Sequence, residues 1–563
     1  MKKFFFILQI LAMSVCFLGC DEQVLENVNT PDNTTSIRAE EVFELTAALS
    51  EEPFSIDPSK NISSEGGTYI YHLFEGLMKL APVDDNDINV IIVNGQAEEF
   101  TLSEDGLKYT FKLRDDIFWS DGEMVEAENF VYSWQRLVDP TMASPYAYVL
   151  NVVENAKDIV SGEKFPNELG IKALDKKTLE ITLAYPCPYF LEICASFATV
   201  PLRQDIVEAH PDNWALDPST CVSNGPYRLT ENLPGSHMLC QKQNDYYDVG
   251  MIGPEKLHFD ISGDGKSAFS KFNTGEFGIT AIFPPGDLPR LVEIGQVKPI
   301  PALSLDFIVI NPERDGLSET NVRQAINLSI DRNYLVLFAT QSAEIPATGM
   351  IPPSISDSVS LGPDFRTMGG EYYSVYMDDY SDNCSKAREL LFQAGFSQGV
   401  GLPSLEFIYL DSPLNSSIAE ALAYMWKTEL KLDIIVTPLD WETYYQAYRT
   451  GSYDLALYRR NADYFDPMAF VSSVSIVTTA GVPNAAGQHD LRASLETAVN
   501  KANLEMDVTK RMEHLHQAES IIMEQSMAAP LYYNTAVYAM QEGLNGLLHT
   551  PSGCFLLMYC HEK

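Results

Sequence analysis

The chain alternates between two hydrophobic textures. From Gly451 the sequence GSYDLALYRRNADYFDPMAF begins as a strand, with Tyr453, Leu455 and Leu457 to one side and Asp454, Ala456 and Tyr458 to the other. It then turns polar through Arg459, Arg460, Asn461, Asp463 and Asp466 before Pro467. A strand that ends in charges at its C-terminal edge is where α/β proteins place ligands, so Asp463 is the first candidate for a ligand anchor. The competing assignment is an aspartate that serves only a turn or a helix cap.

Elsewhere the periodicity predicts strands over 43–48, 109–113, 179–183, 405–410, 434–437 and 530–540. Helical spacing covers 68–78, 127–137, 321–338, 416–430, 441–448 and 510–525. Ser381-Asp382 offers an N-cap to the helix that follows, and Gly395 its C′. Residues 205–307 read as strand and loop, and residues 352–365 as a long loop. From Asn321 onward the α/β alternation predicts a parallel sheet covered by helices.

At 563 residues the chain is too long for one core and predicts two or three domains. Its 38 basic and 78 acidic residues give a net charge of −40, which argues against nucleic acid as a partner and tilts towards cationic ligands. Met1-Lys2-Lys3, an apolar run to Leu18 and then Gly19-Cys20 predict a signal peptide over 1–19, with Cys20 lipid-modified. Residues 20–40 form a polar tether, and the body lies outside the bilayer. Asp21 resembles an inner-membrane retention signal if the source is Gram-negative. Cys187, Cys194, Cys221, Cys240, Cys384, Cys554 and Cys560 make an odd number, so at least one thiol is free or pairs between molecules.

Chemistry-bearing motifs are incomplete. The run Ile261 to Ser267 has Asp260 where a phosphate loop needs its leading glycine. His514 and His516 stand two apart on a helix, so they face different sides and share no metal. No serine elbow or zinc-protease motif occurs, and no residue argues for catalysis. No cofactor is expected.

Several segments resemble one family in its own order. GLKYTFKLRDDIFWSDG, FVYSWQRLVDPTMASPYAYVL, SNGPYRL, VRQAINLSIDR, KARELLFQAGF and NADYFDP are similar to the oligopeptide-binding members of the peptide/nickel family (family 5) of ABC-transporter solute-binding proteins. The resemblance runs from about Glu41 onward. It implies a periplasmic-binding-protein type II-like α/β fold whose ligand is enclosed between lobes joined by a hinge. Domain I would comprise 41–73, 204–307 and 530–563, domain II 74–203, and domain III 308–529.

The implied function is capture of short peptides by backbone and free N-terminus, for delivery by a monomer to an inner-membrane ABC permease and its ATPases. By position, Asp463 would pair with the peptide's α-ammonium, and Tyr146 would shape the same end. Trp441 would line a pocket, and residues 459–461 would lend backbone groups to the peptide strand. Arg460-Asn461 replace the family's Trp-Cys, which removes that family's disulfide. Arg449, Arg459 and Arg460 could therefore meet a peptide C-terminus or an acidic side chain, or form a solvated face. Two other functions stay open at this point: a murein-peptide binder, and an exported enzyme or chaperone acting on polypeptides.

Overall fold

A computed structural model describes residues 42–563, except 50, 51, 54, 62, 84–89, 262, 285, 341, 342, 359–361 and 480–488, and gives only the backbone at 449, 475–479 and 489–492. The signal peptide, Cys20 and the tether lie outside the described residues. No described helix is long and apolar enough to cross a membrane.

Two long strands, Lys298–Ile310 and Ala528–Met540, run antiparallel through the middle of an eleven-stranded sheet. On one flank the order is Leu455–Asn461, Leu405–Leu410, Ile434–Leu439. The other flank runs Ile279–Thr280, Glu44–Ala48, Lys256–Asp260, His237–Lys242 and Tyr227–Leu233. The expected parallel pairing holds where helices cross over, for Leu405–Leu410 against both Ile434–Leu439 and Leu455–Asn461. The central pairs are antiparallel, so the sheet is mixed. A separate four-stranded antiparallel sheet joins Ala97–Leu102, Lys108–Leu113, Thr178–Thr182 and Ile171–Asp175. All of it falls within the segment expected as domain II. The two long strands straddle the expected boundaries at 307/308 and 529/530, with register shifts in their pairing between Pro301 and Leu305 and between Asp306 and Phe307.

Strand alternation separates two cores. Leu455 and Leu457 pack into one with Ile308, Ile310, Phe407 and Tyr409. Ala456 packs into the other with Phe307, Val309 and Ile408. Each fully buried Leu, Ile or Phe contributes ~1.5–3 kcal/mol, and a strand covered on both faces has no solvent side on which to slip. Tyr453 departs from the expected pattern. It precedes the strand and joins the core of Ala456.

Helix bounds differ where capping outweighs periodicity. The helix expected over 68–78 is Ser64–Leu73, with the Ser63 hydroxyl accepting from the Gly66 amide at 3.2 Å. Gly66 and Gly67 lie inside it because a Cβ would meet Asn61 Oδ1 at 2.1 Å or Cys554 Sγ at 2.6 Å. His72 on this helix donates from Nδ1 to the Thr68 carbonyl (2.7 Å) and accepts the Leu557 amide at Nε2 (3.0 Å), while Thr68 Oγ1 accepts the Phe555 amide at 3.1 Å.

The helix expected over 321–338 breaks into Thr320–Leu328, Arg332–Tyr334 and a π-helical turn, Leu335–Thr340. Ser329 bonds back to the Ala325 carbonyl at 2.9 Å, and Asp331 caps the next turn. The stretch read as strand and loop also contains the α-helices Gln204–Ala209, Gly265–Asn273 and Leu288–Glu293. The helix predicted to be capped at Ser381-Asp382 instead begins at Tyr380, one turn early. Gly395 follows it with φ +87°, as a C′ glycine does. The seven described cysteines are all buried, and no disulfide joins them.

Candidate ligand chamber

The Leu455–Asn461 strand is followed by Ala462, whose amide still reaches the Leu303 carbonyl at 2.8 Å. The chain then bends through 463–466 before the helix Met468–Thr479. The capping role in this bend falls to Asp466, which accepts the Met468 amide at 2.9 Å. Asp463 is left for other work. Its Oδ2 accepts the Tyr148 hydroxyl at 2.8 Å and the Arg460 guanidinium at 3.3 Å. No described residue meets its Oδ1. Burial raises its carboxyl above the ordinary carboxylate range, against the pull of Arg460 and Tyr148.

Beside Asp463 a small pocket opens, lined also by Tyr71, Ile92, Glu192, Phe465 and Ser552. Through Ile92, Glu192, Phe465 and Pro551 it shares walls with a cavity of about 620 Å³. That size lies within the ~300–1,000 Å³ of ligand sites. The cavity wall is mostly apolar, with Ile91, Leu191, Ile300, Leu303, Ile355 and Met512. Its charged members include Glu192, Asp466 and Arg511. Arg511 and Asp466 form a bidentate pair at 2.6 and 2.9 Å, both almost wholly buried. Glu192 accepts the Phe465 amide, and burial beside Asp466 pushes its carboxyl up to about 8. Tyr464 stacks on Tyr189 at 4.2 Å, so the 463–466 bend is gripped by the segment around 189–192.

The candidates from the sequence separate. Tyr146 stacks on Tyr148 (5.9 Å) and meets Phe197 edge-on (4.9 Å), so it props the tyrosine that touches Asp463. The residue with the direct contact is Tyr148, two positions along on the short helix Ala147–Val152. Arg459 is spent on Asp306, its cross-strand partner, at 2.6 and 2.9 Å, and the Tyr532 hydroxyl holds the same carboxylate. Arg460 is spent on Asp463 and the Ala469 carbonyl. Neither is the free cation that a ligand carboxylate would need.

Asn461 accepts the Ser304 hydroxyl at 2.6 Å. Residues 459–461 pair with Ser304–Asp306 on one edge, and the Leu405–Leu410 strand reaches only Leu455 and Ala456 on the other. That second edge carries no described strand at 459–461. Trp441 sits 64 % exposed at the start of the helix Trp441–Thr450, stacked on Tyr445, and does not line the cavity. Arg449 belongs to that helix, but its side chain lies outside the described residues. His516 pairs with Asp357 at 2.8 Å, and no metal-binding cluster occurs among the described residues.

A large sheet between helical layers, with a chamber at the end of a central strand, defines a periplasmic-binding-protein type II-like fold. The family model for bacterial extracellular solute-binding proteins, family 5, matches residues 92–481, and the chain belongs to that family. It is 27% identical over 514 residues to an oligopeptide-binding protein of Bacillus subtilis, covering 90% of this chain and 91% of the relative. It is 30% identical over 507 residues to the periplasmic murein peptide-binding protein of Escherichia coli, covering 89% and 90%. The solved unliganded open form of a periplasmic murein tripeptide-binding protein superposes with a TM-score of 0.74 at 28% identity, covering 93% of this chain and 98% of that one.

Proposed function

We propose that this protein captures short peptides by their free N-terminus and delivers them to an inner-membrane ABC permease. The observation that carries this is Asp463. One of its oxygens is fixed by Tyr148 and Arg460, and no described residue meets the other, beside a small pocket that adjoins the large cavity. A buried carboxylate held this way gains a charge-assisted bond when an ammonium arrives. The open edge at 459–461 suits addition of a peptide as a strand, so that affinity comes from backbone groups every peptide has. In this reading three lobes close over the ligand, with the two long strands as the hinge. The protein acts as a monomer without cofactor and is held to the membrane through lipid on Cys20.

The test is the melting temperature with free and N-acetylated tripeptides. Ligand at about a hundred times its Kd adds ~2.7 kcal/mol. A shift that acetylation or Asp463→Asn abolishes supports the reading; equal shifts with both peptides would sink the Asp463 assignment.

A murein peptide is the second reading, favoured by the 30% identity to a murein peptide-binding relative. Arg459 and Arg460 lend it no support, because both are already paired. Competition between a murein tripeptide and a plain tripeptide separates the two.

A further inference from the structure

The charges on the chamber wall do not balance. Arg511 is consumed by Asp466. Asp364 is consumed by the backbone amides of Ser354 and Thr367, at 2.6 and 2.9 Å. His549 on the same wall is buried and stays neutral, its pKa lowered to about 4 by that burial. Glu192 differs from all of these. The Phe465 amide meets Oε2, and no described residue meets Oε1. It lines both the large cavity and the small pocket that holds Asp463, so it stands where the two meet. Among the described residues of both walls no uncommitted cation faces it.

We propose that Glu192 reads a cationic side chain near the ligand's N-terminus, so that the preferred ligands are peptides with a basic first or second residue. This rests on peptide capture at Asp463, which fixes where the ligand begins. A carboxyl pushed up to about 8 by burial and by Asp466 is mostly uncharged at pH 7 and is drawn to its charged form when a cation comes alongside. A lysine or arginine side chain supplies that cation; a neutral side chain does not, and an acidic one sets a second negative charge beside that of Asp466. The competing role is structural, as acceptor for the Phe465 amide alone, which a glutamine would fill equally well.

Glu192→Gln is therefore the variant to use, with its ligand-free melting temperature as the check on folding. Titration calorimetry at pH 7 would compare Lys-Ala-Ala, Ala-Ala-Ala and Glu-Ala-Ala on both proteins. The expected result is that the unmodified protein binds Lys-Ala-Ala at least about tenfold more tightly than Ala-Ala-Ala, with Glu-Ala-Ala weakest. In Glu192→Gln that ratio should fall to within about twofold, while Ala-Ala-Ala affinity changes less than about threefold. Ala-Ala-Ala binding with no lysine preference, or a preference that survives the substitution, overturns this inference alone. Failure of all three peptides to bind overturns peptide capture, and this inference with it.

Discussion

The Tyr148 hydroxyl donates to Asp463 Oδ2 at 2.8 Å across 315 residues of sequence. With Arg460 on the same oxygen, the carboxylate is held in one orientation before any ligand arrives. Tyr148→Phe removes one of those two restraints and leaves the ring in place. Affinity for free tripeptides should fall about fivefold, roughly 1 kcal/mol, as read by calorimetry. Tyr146→Phe, which alters no contact to Asp463, should stay within about twofold.

Arg511 and Asp466 form a buried pair on the cavity wall. Arg511→Met leaves the aspartate without its cation and should cost ~3–5 kcal/mol in urea unfolding. A loss under 1 kcal/mol would mean that water reaches Asp466.

His72 donates at one nitrogen, accepts at the other and is fully buried. Burial lowers its pKa from 6.5 to about 4. An unfolded chain takes up the proton below pH 6.5, and the folded one refuses it until about 4. The contribution to stability is thus complete above pH 6.5 and is lost as pH falls towards 4. At ~1.4 kcal/mol per pKa unit it amounts to roughly 3 kcal/mol. The stability difference between the unmodified protein and His72→Gln should shrink steadily between pH 7 and 4.5; a constant difference would contradict the assignment.

Trp441, exposed and stacked on Tyr445, should be dispensable for binding. Trp441→Ala is expected to change peptide affinity less than twofold. A tenfold loss would show that the 441–450 helix swings over the ligand.

The sequence carries the local elements well. The strand through Leu455, its polar end and Asp463 at its exit follow from alternation and charge within one short stretch. What fails to show is pairing at a distance. Arg459 looks free on the chain, yet its partner Asp306 lies 153 residues away on a strand that the pattern does not align with it. Tyr148 sits in a tyrosine-rich run where residues 146 and 148 carry identical chemistry, and only the packing of Tyr146 on Phe197 tells them apart. Glu192 did leave a signal: it is a lone acid in the apolar run YFLEICASF, a position that a purely structural helix would give to a hydrophobe. The gripping of the 463–466 bend by Tyr189 is invisible until both segments are placed.

Thr68 and His72 receive amide hydrogens from Phe555 and Leu557, 487 and 485 residues further along. A helix near the beginning of the fold thus waits for partners made near its end. Until those residues emerge from a ribosome or a translocation pore, the buried imidazole has an unfilled acceptor and the early helix has no lid. Contacts this remote also favour slow closure, because the whole intervening loop must be ordered first. The early helix is thus completed by a segment almost five hundred residues downstream, which ties its final protection to the last part of the fold to be made.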